Sequence, residues 1–497
     1  MSDNEKIYAG TLGAVDNSNM LVAISDPDAH LSEDERKVID RKLVLRLDII
    51  LIPWLSLLYL VAFLDRTNIG NAKIAHLETE LGLSTSKYNA TLTIFFISYS
   101  IFEPITNILI KRLRPSIFIP IIMVTWGASM LSMGFVTNFG GLLAARWFLG
   151  FCESGLFPGI NYYLSCWYKR SEFGIRAAIF FSAAAVSGSF GGLLAAAIGL
   201  LDGKSGLAGW AWIFVIEGVF TILLGILSFF VIQDFPDRAQ FLSTDDRARV
   251  ICRLKFDQQS SAAHEDFRSS YMSAALRDWK TWLSMIIYMG CDMALYAFAM
   301  FLPSIVINLG WGGSVVHSQL MSVPPYVVAA IFTVTIGYIA DCTRQRGLCN
   351  ICTSFIGIIG FSMLISTPKA GVQYAGTFLA AIGIYPCIAN TITWVANNTE
   401  GVYKRGVVLG LVIGWGNLNG AVSSNIYFDP PRYFVGHGVI LAYMAIFLLG
   451  GSLLMTVLLR RENAKRKRGE RDSWLDGLDE IEIEMLGDQR PDFQYTI

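Results

Sequence analysis

An arginine and a glutamate stand seven residues apart in an otherwise apolar stretch of the chain, at Arg146 and Glu153. Seven residues make two turns of an α-helix, so both side chains would project from nearly the same face. If that helix crosses a bilayer, inserting each charged side chain costs at least about 2.5–3.5 kcal/mol. Such residues are found where they pair with another charge or line a water-filled pathway. The spacing predicts that Glu153 takes up and releases a proton, while Arg146 holds it ionised or meets a carboxylate. A purely structural ion pair is the alternative.

Other charged side chains lie in apolar stretches of the first half. Asp65 and Arg66 end one such run, and Glu103 lies in the middle of another, directly before Pro104. Asp65 and Glu103 are further candidates for proton coupling, and Arg66 is a second candidate for binding an anion. The structural alternatives are an interfacial ion pair at a helix end for Asp65–Arg66 and a helix-to-helix hydrogen bond for Glu103.

The second half of the chain offers polar rather than paired charged candidates. Asp292 and Tyr296 lie one helical turn apart in an apolar run, and we expect them to face a central cavity. Asn390 and Trp394 share a helix face further on, and Asn417 marks the next run. Amide and indole groups can recognise a substrate without the cost of a buried charge, so these residues are predicted to bind substrate. The alternative is that they only join helices by hydrogen bonds.

The elements that must position these residues are membrane-spanning helices. The chain has 497 residues, of which 53% are hydrophobic and only 16% are charged, against about 25% charged in an ordinary soluble domain. A spanning helix needs roughly 20 mostly apolar residues. Twelve such runs are predicted, near 46–68, 88–110, 117–136, 141–164, 177–200, 210–232, 280–307, 318–340, 347–366, 371–395, 406–427 and 435–459.

One long polar connection divides these runs into two sets of six. The predicted organisation is therefore all-α, with two six-helix bundles at 43–232 and 280–459, a linker at 233–279, and tails at 1–42 and 460–497. Lys and Arg are concentrated in the connections that lie on the same side as the termini. This bias predicts that both termini are cytosolic, and we expect a multi-pass protein of the plasma membrane.

The two halves carry related basic turns. Gly337, Asp341, Arg344 and Arg346 follow run eight, and Asn107-Ile-Leu-Ile-Lys111 follows run two. These turns resemble the loop signature of the major facilitator superfamily, Gly-x-Leu-x-Asp-Arg followed by basic residues. The second copy fits it well, whereas the first departs from it at its Gly and Asp positions. Arg146-x-x-x-Gly150 also fits the span-four signature of that superfamily. The resemblance implies two bundles that alternate around a central site, with this loop as a gate.

Longer stretches resemble the fungal allantoate and nicotinate permease branch of the anion:cation symporter family. They are 64–72, 102–107, 146–159, 167–172, 213–218, 404–406, 416–417, 429–433 and 486–495. In related carboxylate symporters, an Arg and Glu spaced like Arg146 and Glu153 serve proton coupling, and the pair equivalent to Asp65–Arg66 handles proton and substrate. The resemblance implies proton-coupled uptake of a small organic anion, nicotinate or a related vitamin-sized carboxylate first.

Several other functions fit the sequence less well. Gly188-Ser-Phe-Gly191-Gly192 in run five lacks the proline of superfamily antiporters, which favours symport or uniport. An exporter of a secondary metabolite and a non-transporting nutrient receptor remain alternatives, whereas the scattered histidines provide no cluster for a membrane enzyme. No broad basic face suits nucleic acid, and the eight cysteines suggest neither a disulfide framework nor a complete zinc site. We expect no cofactor besides the proton, and a monomer in the lipid bilayer.

Overall fold

A computed structural model describes residues 27–28, 30–198, 201–256, 270–309, 315–428, 432–475, 477 and 486–497. In these ranges the regular structure is helical, which confirms the all-α prediction. The helices of the first half are α1 (Glu33–Ile74), α2 (Leu77–Glu80), α3 (Thr85–Leu113), α4 (Pro115–Met133), α5 (Phe139–Glu153), α6 (Leu156–Ser165), α7 (Arg170–Ile198) and α8 (Gly209–Val231). The linker carries α9 (Thr244–Phe256) and α10 (Ser270–Arg277), and its middle, 257–269, lies outside the described residues.

The second half continues the same pattern of long apolar helices. They are α11 (Trp279–Asn308), α12 (Val315–Thr343), α13 (Arg346–Ser366), α14 (Ala370–Asn397), α15 (Val402–Ser423), α16 (Phe434–Tyr443) and α17 (Gly451–Lys467), with a π-helical stretch at Met444–Gly450. Counting the α16–α17 stretch once, 10 helices in the described ranges are long and apolar enough to cross a bilayer. The two remaining predicted spans correspond to α3 and to the α5–α6 pair.

The first and fourth spans differ from the prediction in ways that bear on the site. The first helix begins at Glu33, well before the apolar run, because Ser32 and Glu35 form a capping box that satisfies the first backbone N–H groups. The fourth span is two helices, because the chain turns at Ser154 and Gly155 between α5 and α6. A Cβ at Gly155 would lie 2.9 Å from the ring of Phe118. The break therefore lets this segment pack closely on its neighbour while placing Glu153 at a helix end.

The helices pack as two groups that meet along α3–α15 and α7–α12. We call the side where α1 begins and α17 ends the terminal face, and the opposite side the distal face. Arg114, between α3 and α4, and Arg344, between α12 and α13, both adopt left-handed backbone conformations, with φ of 61° and 56°. Non-glycine residues rarely do so. A positive φ at matching places in both halves agrees with the related basic turns predicted from the sequence.

The C-terminal segment 486–497 folds back onto the terminal face of the second half. Asp488 is fully buried and accepts from Lys280 Nζ at 2.5 Å and Lys404 Nζ at 2.6 Å. Trp394 Nε1 donates to the carbonyl of Thr496 at 2.9 Å. Arg466 donates to the Phe493 carbonyl at 2.6 Å. The segment thereby ties together the terminal ends of α11, α14, α15 and α17.

Candidate functional site

The centre of the molecule holds a buried ion pair between the first and fourth spans. Arg66 on α1 donates through Nε at 3.1 Å and through Nη2 at 2.5 Å to Oε1 of Glu153. The two side chains are only 5% and 1% exposed. Glu153 is the last residue of α5, immediately before the break, and its Oε2 has no hydrogen-bond partner among the described residues. One carboxylate oxygen thus binds Arg66, and the other has no partner among the described residues.

A hydrogen-bonded chain extends from this pair into the second half. Arg66 Nη1 donates to the hydroxyl of Tyr296 on α11. Tyr296 donates in turn to Oδ1 of Asn417 at 2.5 Å, and Asn417 Nδ2 donates to Glu103 at 3.0 Å. Glu103 lies on α3, so the chain crosses from the first half to the second and back. We call Glu153, Arg66, Tyr296, Asn417 and Glu103 the central chain.

Asp292 lies one helical turn before Tyr296, as the spacing predicted, and is 1% exposed. Its Oδ2 has no hydrogen-bond partner among the described residues. A Cβ at Gly416 would lie 3.2 Å from this oxygen, so the glycine keeps α15 close to α11 here. Asp292 and Tyr296 therefore both lie where the second half meets the central chain.

Arg146 is buried near the central chain but forms no ion pair with Glu153 within the described residues. Its Nε donates to the Thr91 carbonyl at 3.3 Å, and its guanidinium carbon lies 4.7 Å from the ring centre of Phe95. The guanidinium of Arg66 lies 5.4 Å from the same ring. Glu153 is instead bound across the bundle to Arg66. Nη1 of Arg146 has no partner among the described atoms.

Aromatic rings surround the guanidinium of Arg66. The rings of Tyr99 and Tyr296 have their centres 4.7 Å and 5.4 Å from its carbon. Tyr59 lies two turns earlier on α1, on the same face as Arg66, and stacks on Phe157 with ring centres 5.0 Å apart. The arrangement places a cation among aromatic rings, whose negative faces attract it.

Asp65 points away from Arg66, although the two residues are neighbours in sequence. Its Oδ2 accepts from the indole of Trp126 and the hydroxyl of Thr221, both at 2.9 Å. Glu217, one turn before Thr221 on α8, accepts from the amide of Asn68. Asp65 therefore belongs to a separate polar pocket inside the first half, formed by α1, α4 and α8.

Asn390 and Trp394 lie apart from the central chain. Asn390 donates to the Arg346 carbonyl at 2.7 Å and to Asn350 at 2.8 Å, which joins α14 to α13. Trp394 is bonded to the C-terminal segment. This placement favours the helix-joining alternative for both residues over the predicted contact with substrate.

The predicted gating loop closes the terminal face between the two halves. The backbone N–H of Ile175 on α7 donates to Asp341 at 2.5 Å, and Arg346 donates to the other oxygen of the same carboxylate. A Cβ at Gly337 would lie only 2.4 Å from the Cβ of Ala178, so α7 and α12 approach here as only glycine allows. Arg344 forms the left-handed turn that follows.

A small cavity of about 30 Å³ lies between the halves towards the distal face. Its lining includes Thr67, Asn71 and Gly191 from the first half and Ser322 and Tyr326 from the second. The ring of Tyr326 packs where a Cβ of Gly188 would be, at 2.7 Å. With α7 and α12 also in contact at the terminal face, the central chain is enclosed on both sides, as expected of an occluded state.

Sequence reasoning missed three parts of this arrangement. Tyr99 lies four residues before Glu103 and four after Phe95, and that helical spacing could have placed all three on one face. The pocket of Asp65 and Glu217 joins three spans, and nothing in the sequence indicates which spans meet. The docking of the C-terminal segment depends on Asp488, an acid in a polar tail that is otherwise typical of exposed sequence.

Comparison with known proteins gives a consistent result. Residues 55–424 match the family model described as the Major Facilitator Superfamily. The chain is 31% identical over 465 residues to a high-affinity nicotinic acid transporter of Saccharomyces cerevisiae, covering 92% of this chain and 85% of that protein. It is 33% identical to the MFS-type transporter cnsO of Penicillium expansum, covering 100% of this chain and 98% of that protein.

Solved structures share the fold at low sequence identity. A bacterial homologue of the human lysosomal transporter Spinster, crystallised in an inward-facing and unoccupied conformation, superposes with a TM-score of 0.54 at 16% identity. The match covers 82% of this chain and 93% of that one. This likeness supports the predicted arrangement of membrane helices.

Proposed function

Because this chain belongs to the Major Facilitator Superfamily and is a multi-pass membrane transporter rather than an enzyme, we propose that it imports a small organic anion together with protons. The observation that carries the proposal is the buried Arg66–Glu153 pair, which is joined to the second half through Tyr296. An ion pair in that position links the charge state of an acid to the availability of a cation.

The proposed cycle begins with the proton. When Glu153 is ionised it occupies Arg66, and an arriving carboxylate would have to displace it. Protonation of Glu153 through its free Oε2 removes the negative charge and leaves the guanidinium for the substrate carboxylate. Proton and anion then each favour the binding of the other, which is the coupling free energy that a symporter requires.

The other members of the central chain connect this exchange of ligands at Arg66 to both halves. Tyr296 and Asn417 belong to the second half, so a change in what Arg66 binds alters contacts across the interface. Glu103 and Asp292 are further acids of this region, and Arg146 is a second cation beside Phe95. We assign Glu103 a supporting part in proton coupling, and Arg146 and Asp292 supporting parts in binding the anion.

The proposed substrate is a planar monocarboxylate of the size of nicotinate. The cation at Arg66 beside the rings of Phe95, Tyr99 and Tyr296 fits an aromatic acid. The similarity to a yeast nicotinic acid transporter supports the same class. Each positive charge that moves inward gains about 2.3 kcal/mol per 100 mV, so more than one proton per monoanion lets the membrane potential contribute.

The proposal includes orientation and surroundings. The excess of Lys and Arg in terminal-face connections supports cytosolic termini, and we place the protein in the plasma membrane as a monomer that needs no cofactor besides the proton. Asp341, Gly337 and the loop with Arg344 and Arg346 then form the cytosolic gate.

Radiolabelled uptake in a permease-deficient yeast tests this function. The panel contains nicotinate, pantothenate, allantoate and a neutral analogue, nicotinamide, at acidic and neutral external pH. We expect accumulation of a carboxylate that is greater at acidic pH and is abolished by a protonophore. Accumulation only outward would indicate an exporter, and binding without translocation would indicate a receptor; either result overturns the proposal.

A further inference from the structure

A second pair of buried carboxylates lies in the first half, outside the central chain. Asp65 and Glu217 are 0% and 3% exposed, and in the described part of the chain neither forms an ion pair. Asp65 on α1 is bonded to Thr221 on α8, while Glu217, one turn earlier on α8, is bonded to Asn68, one turn later on α1. Each acid is therefore bonded to a neutral residue on the other helix, and the two acids lie within about one helical turn of each other.

The charges around this pair cannot neutralise two carboxylates. From the packed elements, α4 and the stretch of α7 near the pair contribute no acidic or basic side chain, and Glu217 is the only such residue of α8. Arg66, which is the sequence neighbour of Asp65, is paired with Glu153. Two like charges sharing one desolvated site cannot both be kept, so at least one acid holds a proton.

The pocket has a polar connection to the distal cavity. Asn71 lines that cavity and donates to Oδ1 of Asn68 at 2.6 Å, and Asn68 donates to Glu217. Gly191, which also lines the cavity, faces both amides. A Cβ there would lie 3.2 Å from Asn68 Oδ1 and 3.4 Å from Asn71 Nδ2, so glycine leaves the space beside them open.

We propose that Glu217 joins Asp65, the acid predicted from the sequence to take part in proton coupling, in a second proton-holding site, which exchanges protons with the distal cavity beside Asn68 and Asn71. In the exchange, one O–H bond forms on a carboxyl oxygen as one breaks in water of the cavity, and the reverse step returns the proton. This site goes beyond the proposed role of Glu153. The two sites are adjacent, because Asp65 belongs to the first-half pocket and its neighbour Arg66 binds Glu153.

Proton binding by the purified full-length protein tests this inference without any substrate. An indicator dye in weakly buffered detergent counts the protons taken up between neutral and acidic pH, and infrared spectra follow the C=O band of protonated carboxyl groups. We expect Glu217→Gln to take up about one proton fewer than the wild type, with a weaker carboxyl band. Ser228→Ala, which removes a buried hydroxyl on the same helix, is the matched control and should bind as the wild type does.

A second variant keeps the test decisive if Glu217→Gln does not fold. Asn71→Leu retains both acids but fills the cavity side with an apolar group, so we expect the same number of protons to bind more slowly in stopped-flow measurements. Unchanged proton number and carboxyl band in folded Glu217→Gln, or unchanged uptake rate in Asn71→Leu, would overturn the inference. These measurements use protons alone and need no substrate. A negative result here would therefore not contradict pH-driven carboxylate uptake by the wild type, and a failure of that uptake would not contradict this inference.

Discussion

Arg66 binds one oxygen of Glu153 with two of its nitrogens, Nε at 3.1 Å and Nη2 at 2.5 Å, and leaves the other oxygen without a partner. The pair lies at the break between α5 and α6. The geometry makes Arg66, rather than Arg146, the direct partner of the acid.

Replacing Arg66 with lysine tests whether the two-nitrogen contact matters beyond charge. Lysine keeps the positive charge but cannot reproduce the planar fork of guanidinium. A hydrogen bond to a charged group contributes about 1.5–3 kcal/mol, so Arg66→Lys should weaken carboxylate binding roughly 10- to 150-fold. Lys73→Arg, in a surface pair with Glu78 at 3.4 Å, is the control and should change uptake little. Equal affinity for the Arg66→Lys variant would argue against substrate binding at Arg66.

Removing one hydroxyl tests the link between the halves. Tyr296→Phe preserves the ring, which packs on Phe96 with centres 4.6 Å apart, but deletes the bonds to Arg66 and Asn417. We expect substrate affinity to fall by about 0.5–1.5 kcal/mol, or roughly 2- to 12-fold, and the accumulation ratio to fall with it. Uptake and counterflow assays in proteoliposomes measure both quantities. A variant that accumulates substrate as the wild type does would contradict the role of the central chain.

The sequence predicted the class of the fold and the identity of most buried charged residues. The apolar runs predicted the helices, because a bilayer fixes both the length and the apolar composition of a spanning helix. The cost of burying a charge in the membrane marked Arg66, Glu103 and Glu153 as candidates. The partner of Glu153 was not predictable, because the seven-residue spacing from Arg146 describes one helix, whereas the observed bond crosses from α5 to α1. Asn390 likewise showed the right spacing, but its partners lie on α13.

Close packing at the gate gives a prediction about conformation. A Cβ at Gly337 would lie 2.4 Å from that of Ala178, so Gly337→Ala must separate α7 and α12 at the terminal face. Overpacking of this kind costs about 1–3 kcal/mol and should shift the population away from the closed gate roughly 5- to 150-fold. Spin labels at positions 171 and 343 measure the separation.

The matched control for the gate is Gly371→Ala. A Cβ at Gly371 would meet no atom within 4 Å, so this variant should retain the wild-type distance distribution. A Gly337→Ala distribution that is indistinguishable from the control would mean that this contact does not hold the gate.

The buried acid of the C-terminal segment gives a pH-dependent prediction. Burial alone would raise the pKa of Asp488, but Lys280 and Lys404 outweigh it and hold the pKa below its usual range. The carboxylate therefore stabilises the folded state above about pH 4, near its unfolded pKa, and this contribution is lost as pH falls through the lower folded pKa. Breaking such a buried pair costs about 3–5 kcal/mol.

Thermal unfolding in detergent measures this contribution. Asp488→Asn should lower the unfolding midpoint near neutral pH and reduce the difference from wild type as the solution is acidified. Asp472→Asn, at an exposed position in the same tail, should unfold as the wild type does. A neutral-pH midpoint that Asp488→Asn leaves unchanged would show that the segment is not needed to hold the four helix ends together.

The most direct test of the account is the response of Glu153→Gln to a proton gradient. Glutamine mimics the protonated acid, so the variant should lose pH-driven accumulation of labelled carboxylate but keep substrate exchange at equal pH. Both assays are made on the same proteoliposomes, with the amount of inserted protein measured. Accumulation that persists in the variant, or exchange that disappears while the protein remains folded in the membrane, would contradict proton coupling through Glu153.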